Sequence, residues 1–164
     1  MALPNKVLPG FSAALYAQSG ASPTALTLPQ LSTLASVAAI AVSGTLVPVE
    51  AVPAFGQDDA VANFGVAGSR QSDKIPTQSA PTSLSVTAAW NPSDSVLLLM
   101  RGDAYSGVID RTFVISATDG TNIVYYAFNG RVSQFTIDAQ PGAEAKCNFT
   151  IHPRGNLYGW SNNV

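Results

Sequence analysis

From Ser83 to Trp90, the apolar residues Leu84, Val86, Ala88 and Trp90 alternate with Ser83, Ser85 and Thr87. That period of two predicts a strand with one buried face. Asn91-Pro92 ends it. Pro92 has no N–H for a ladder but suits the first position of a helix, Asn91 is the expected cap, and Asp94 falls in a first turn that favours negative charge. The run Ser95–Met100 is short and apolar, with Arg101 in the last turn and Gly102 at the stop. The pattern therefore predicts a helix over Pro92–Arg101. A helix this short needs a sheet to hold it, here through Trp90, Val96, Leu97, Leu99 and Met100.

The C-terminal third alternates in the same way. Arg111–Ala117 reads as a strand with Phe113, Ile115 and Ala117 on one face. Asp119-Gly120 marks a hairpin turn, Ile123–Phe128 returns, and Asn129-Gly130 is the expected bulge before Arg131–Asp138. Ala139–Ala143 is the next turn. Ala145, Cys147, Phe149 and Ile151 then alternate with Lys146, Asn148, Thr150 and His152, one face dry and one wet. Pro153–Val164 reads as an arm whose Tyr158 and Trp160 dock on something.

The N-terminal half is less regular. Met1–Gly10 is predicted to be an extended arm, Phe11–Gln18 a strand, and Ala21–Gln30 a loop or edge strand. Leu31–Val42 carries both periods and is read as strand after Ser36. Thr45–Val52 is a strand that Pro48 places at an edge or bulge. Phe55–Val66 is mixed, and polar Gly68–Pro81 is predicted to be a long hairpin loop.

The chain has 164 residues, enough for one domain with a core. Only 11% of residues are charged, against about 25% in ordinary soluble domains. This composition suits a secreted or membrane-associated chain, a surface covered by other subunits, or an ordinary β domain with a weakly charged surface. The net charge of -2 supplies no basic footprint for gripping nucleic acid. One cysteine excludes an intrachain disulfide and a cysteine-based zinc site. The densest apolar run, Leu31–Val42, is too short to span a membrane, and Pro9-Gly10 spoils the faint signal-peptide pattern at the start.

Candidate chemistry is sparse. A hydrolytic triad would have to use His152, the only histidine, and no Gly-x-Ser-x-Gly elbow is present. His152 and Cys147 point to opposite strand faces and cannot share a metal. Arg101-Gly102-Asp103 spells an adhesion tripeptide, but Arg and Gly are also what a helix end calls for. Asn148-Phe149-Thr150 matches a glycosylation acceptor inside a strand, and Asp58-Asp59 lacks a third carboxylate nearby. No enzyme, cofactor or metal is expected.

The order of parts resembles the tail tube (major tail) proteins of long-tailed bacteriophages, the lambda-like siphophages in particular. The residues carrying the resemblance are Gly10–Tyr16, the polar loop leading to Ser83–Pro92, the short helix, the Asp119-Gly120-Thr121 hairpin, Asn129–Ser133, and the strand ending near Pro153. Leu26–Val42 departs from it. The resemblance implies a mainly β fold: a β-sandwich or partial barrel over residues 1–164, with one flanking short α-helix and a long hairpin loop. It also implies six copies per ring and rings stacked into a tube through which DNA passes without specific binding.

On that resemblance the partners are copies of the chain itself, with tape-measure, tail-terminator and tail-tip proteins. The place is the virion tail, assembled in the host cytoplasm, with no membrane. Arg70, Gln71, Ser72, Asp73 and Lys74, with Tyr158 and Trp160, are the expected subunit and ring contacts. A different class of reading is a secreted or surface binding module, for carbohydrate, stacking sugars on Trp160, Tyr158, Tyr125 and Tyr126.

Overall fold

The computed structural model describes residues 12–21, 23–31, 33–65 and 72–162. Eight strands are present among them: β1 (Ser12–Ala17), β2 (Thr45–Leu46), β3 (Gln57–Gly65), β4 (Ser72–Pro81), β5 (Leu84–Ala89), β6 (Arg111–Thr118), β7 (Ile123–Asp138) and β8 (Lys146–Asn162). Three helices accompany them: α1 (Leu28–Leu31), α2 (Leu34–Ser43) and α3 (Ser95–Ser106). Six strands form one curled antiparallel sheet in the order β2-β1-β6-β7-β8-β5, while β3 and β4 form a separate two-stranded ribbon. The fold is thus mainly β and takes the partial-barrel form.

The alternating stretches build the sheet. Leu84, Val86 and Ala88 of β5 face inward with Cys147, Phe149 and Ile151 of β8, all at most 2% exposed. The long strands β7 and β8 have two halves. Residues 123–130 pair with β6, whereas the later half of β7 lies beside the part of β8 that pairs with β5. The change of partner falls between Gly130, the last residue paired with β6, and Val132, opposite Ile151 where the β5 pairing begins, just past the irregularity at Ala127/Asn129. Gly130 packs closely there: an added Cβ would lie 3.0 Å from Ile151 Cγ2 and 3.2 Å from the His152 carbonyl oxygen.

The segment after α2 spans both borders of the sheet. Thr45 and Leu46 pair with β1, and Val47 donates its N–H to the Leu15 carbonyl. Past Pro48, Val49 bridges to Ala88, Glu50 donates to Thr87, and Ala89 donates to Pro48. One six-residue strap therefore covers part of each open edge, which would otherwise present unpaired backbone groups. Pro48 sits at the handover, where only its carbonyl is needed.

Two clusters fill the two faces. Inside the curl, Leu15, Phe113, Phe128, Val132, Phe149 and Ile151 meet Val96, Leu97 and Met100 of α3. On the other face, Leu31, Val37 and Ile40 of α1 and α2 cover Val114 and Ala127, with Tyr16, Tyr125 and Tyr158 packed around them. β6 is consequently buried on both faces along Arg111–Ile115.

Four sequence expectations are corrected. The segment after Ser36 is helix α2, not strand, because Val37 and Ile40 at a spacing of three find the apolar row Tyr16–Val114–Ala127 beneath them. The helix expected over Pro92–Arg101 instead runs from Ser95 to Ser106. Asp94, not Asn91, is its cap and accepts the Val96 N–H at 2.9 Å, and left-handed Gly107, not Gly102, ends it. The strand expected over Thr45–Val52 is only Thr45–Leu46 plus the bridge at Val49. The Pro153–Val164 arm is, through Asn162, a continuation of β8 hydrogen-bonded to β7, with Gly155 in the left-handed region at the irregularity. The expected arm Met1–Gly10 lies outside the described residues.

Candidate assembly surfaces

The stretch read as a polar loop is mostly strand. β3 and β4 pair from Gln57↔Pro81 to Gly65↔Ser72, with a register shift at Ala60/Val61. The ribbon is about 30 Å long at ~3.3 Å per residue. Its base is closed by the Thr82 N–H on the Gly56 carbonyl, and Phe55 sets it against Tyr126 with ring centroids 4.9 Å apart. Pro76 and Pro81 are tolerated because each strand of a two-stranded ribbon has a free edge. Ser72, Asp73 and Lys74 stand at its far end, opposite Gly65, Phe64 and Asn63. Arg70 and Gln71 lie outside the described residues.

The other expected contact residues are dispersed. Tyr158 is half-buried against the α1–α2 cluster and pairs with Ala127. Trp160 pairs with Tyr125 in the β7–β8 ladder. Tyr125 and Tyr126 are also half-buried in packing, so the three described rings expected as sugar platforms lie against protein. Val96, Leu97 and Met100 are at most 3% exposed, while Leu99 and Trp90 are packed at the margin, Trp90 edge-on to Phe135 at 5.8 Å.

A buried ion pair that periodicity does not reveal fastens α3 to the sheet. Arg111 Nε and Nη2 donate to Asp103 Oδ2 and Oδ1 at 2.6 and 3.0 Å, with side chains 0% and 3% exposed. Arg111 Nη1 also donates to the carbonyls of Gln18 and Gly20. Asp103 is therefore committed internally, and the Arg101-Gly102-Asp103 tripeptide does not present its carboxylate. The spacing of eight between Asp103 and Arg111 is invisible until the helix end and the strand start are both known.

A second charged group occupies the elbow where β7 and β8 change partner. Asp110 accepts from Arg131 Nε at 2.6 Å and from Arg154 Nη1 at 2.8 Å. The Arg131 hydrogen bond leads in holding the Asp110 carboxyl below its ordinary 3.8, Arg154 adds to it, and partial desolvation opposes both. Beside them, His152 Nδ1 lies 2.9 Å from Ser83 Oγ and Nε2 2.7 Å from Ser133 Oγ. Hydroxyls thus hold both ring nitrogens, an arrangement without the carboxylate that orients a triad histidine.

Between the charged elbow and Lys146, the outer face of β5, β8 and β7 carries a groove lined by uncharged side chains. Ser85, Thr87, Gln134, Thr136, Asn148 and Thr150 line a shallow groove of about 540 Å³. Thr87 Oγ1 donates to Asn148 Oδ1 at 2.7 Å, and Gln134 takes a left-handed φ of 56° at the bulge. Asn148 is exposed on this face. Among the described residues no three His, Cys, Asp or Glu are grouped to hold a metal, and no helix is long and apolar enough to cross a membrane.

No protein-family model matches the chain, and no curated protein matches it in sequence. Solved structures do match its fold. A sheath/tube terminator of the extracellular contractile injection system PVC, in the extended state, superposes with a TM-score of 0.65 at 12% identity, over 96% of this chain and 99% of that one. The tube-terminating cap of the anti-feeding prophage gives 0.64 at 12% identity, over 99% and 95%. The SPP1 tail tube gives 0.57 at 13% identity, over 93% and 77%. The fold is that of tail-tube and tube-terminator proteins, from contractile systems as well as from SPP1.

Proposed function

We propose that this chain is a structural subunit of a bacteriophage-type tail tube, six copies closing each ring and rings stacking into a conduit for DNA. The observation that carries the reading is the likeness to a tube subunit and to two tube-end proteins along nearly the whole chain. Three features support it. The β3–β4 ribbon shares no ladder with the six-stranded sheet and touches it where β4 lies beside β8, and a two-stranded ribbon is marginal in water without something to lie on. Among the described residues each border of the sheet is only partly covered by the strap at Thr45–Glu50, leaving backbone available for a neighbour. The uncharged groove on β5, β8 and β7 suits a wall that DNA slides past, since basic walls bind phosphate.

In this reading Ser72, Asp73 and Lys74 at the ribbon's far end are contacts to neighbouring subunits, joined by Arg70, Gln71, Tyr158 and Trp160. Tape-measure, tail-terminator and tail-tip proteins are the further partners. The subunit resides in the virion tail after assembly in the host cytoplasm and has no catalytic role. Negative-stain microscopy of concentrated protein tests it. Tubes or six-membered rings are expected, and particles that remain single at all concentrations would overturn it.

A second reading is that of a tube terminator. Mutual coverage favours it, because the chain spans 99% of the terminator but 77% of the SPP1 tube subunit. The same images separate the two: a terminator stops at one ring, whereas a tube subunit grows with concentration.

A further inference from the structure

The described charges are unevenly placed along the second half of the β7–β8 ribbon. At its elbow, Arg131 and Arg154 share one acid, Asp110, with side chains 37%, 56% and 33% exposed. Two cations on one carboxylate leave positive charge over, and His152 faces the same side. At its tip, Asp138 and Glu144 are exposed, and neither makes an ion pair among the described residues. Lys146 lies opposite Asp138 in the ladder and feels Glu144, but its ion pair is with Glu50, so three acids share one cation at the tip. Elbow and tip are seven residues apart on β7, about 23 Å of strand. Asp119, on the β6–β7 turn, is different: its carboxylate accepts from the Thr121 and Asn122 N–H groups of its own turn.

We infer that the acidic tip of one copy docks on the basic elbow of the next, with Asp138 and Glu144 facing Arg131 and Arg154. One molecule carries both complementary poles at different places, the condition for a head-to-tail contact. Opposed poles steer copies into a single polarity and penalise tip-on-tip encounters. The occupant is a second copy because the complement to each pole lies on this chain. The inference rests on the tail-tube reading and names the residues of one of its contacts.

The test uses two charge-swapped full-length chains. Arg154→Glu makes the elbow acidic, and Asp138→Lys with Glu144→Lys makes the tip basic. Circular dichroism and melting establish that each folds, and Arg154→Gln and Glu144→Gln serve as milder forms. Sedimentation velocity and negative stain read assembly. Each swapped chain alone is expected to need at least about tenfold more protein to assemble than wild type. An equimolar mixture is expected to regain assembly, and 1 M salt to weaken the wild type. Wild-type tubes with both swapped chains assembling normally would overturn this contact alone. So would losses that mixing does not rescue, or a wild type that stops at closed dimers. A wild type that never associates would overturn the tail-tube reading itself.

Discussion

Asp103 and Arg111 face each other across the end of α3 and the start of β6 in a two-pronged pair, with both side chains almost wholly buried. Removing one member strands the other's charge in the core. Asp103→Asn or Arg111→Met should therefore cost about 3–5 kcal/mol, read as the urea midpoint. The double variant Asp103→Leu/Arg111→Met should recover much of that loss. It should not recover all of it, because Arg111 also satisfies the Gln18 and Gly20 carbonyls. Equal losses in the single and double variants would contradict the pairing argument.

Two glycines of α3 should respond in opposite directions. Gly102 is inside the helix, and a Cβ there meets nothing within 4 Å. Gly102→Ala should stabilise the protein by roughly 0.5–1 kcal/mol through lost freedom in the unfolded chain. Gly107 ends the helix at φ 65°, donating its N–H to the Asp103 carbonyl. Gly107→Ala should destabilise by about 1 kcal/mol, since an L residue is strained there. Thermal melts of both variants decide the matter.

Those glycines also show what the sequence conceals. Gly102 follows a basic residue and precedes an aspartate, the usual look of a helix end, so the helix was expected to stop five residues early. The buried Asp103–Arg111 pair is what carries it onward. The strands were legible wherever one face is dry: Leu84–Ala88, Phe113–Ala117 and Cys147–Ile151 alternate because a core lies under them. β3 and β4 carry polar residues and prolines in place of a steady alternation, and these disguised them as loop. α2 was hidden by its Val, Ile and Ala content, and the apolar row that makes it helical lies on β1, β6 and β7. The charge poles of β7–β8 were unreadable because they join residues up to 44 positions apart.

Stability should fall off at both ends of the pH scale, for separable reasons. Arg131 and Arg154 hold the folded Asp110 carboxyl below 3.8. Its contribution is present above about that pH and lost as pH falls through the lower folded value. Asp110→Asn should cost about 1 kcal/mol at neutral pH and flatten the acid limb. At the other end, the Glu50 carboxylate raises Lys146 above 10.5. That contribution is complete below 10.5 and lost as pH rises through the folded value. Glu50→Gln should flatten only the alkaline limb. Chemical denaturation from pH 2 to 11 separates the two, and an acid limb unchanged in Asp110→Asn would contradict the first assignment.

The β3–β4 ribbon should be dispensable for folding and needed for assembly. All six strands of the main sheet pair without the ribbon, and Phe55 anchors its base. Deleting residues 60–78 and joining Asp59 to Ser79 through Asn-Gly keeps the first three cross-strand pairs and supplies a tight turn. Unfolding free energy should change by less than about 1 kcal/mol, as for surface changes away from a core. Under the tail-tube reading, the shortened chain should remain single in sedimentation at concentrations where the full chain polymerises, because the ribbon's far end has lost its neighbour. Tubes of normal length from the shortened chain would place the contacts elsewhere on the subunit. A chain that no longer folds would show instead that β4's seat against β8 belongs to the core of the monomer.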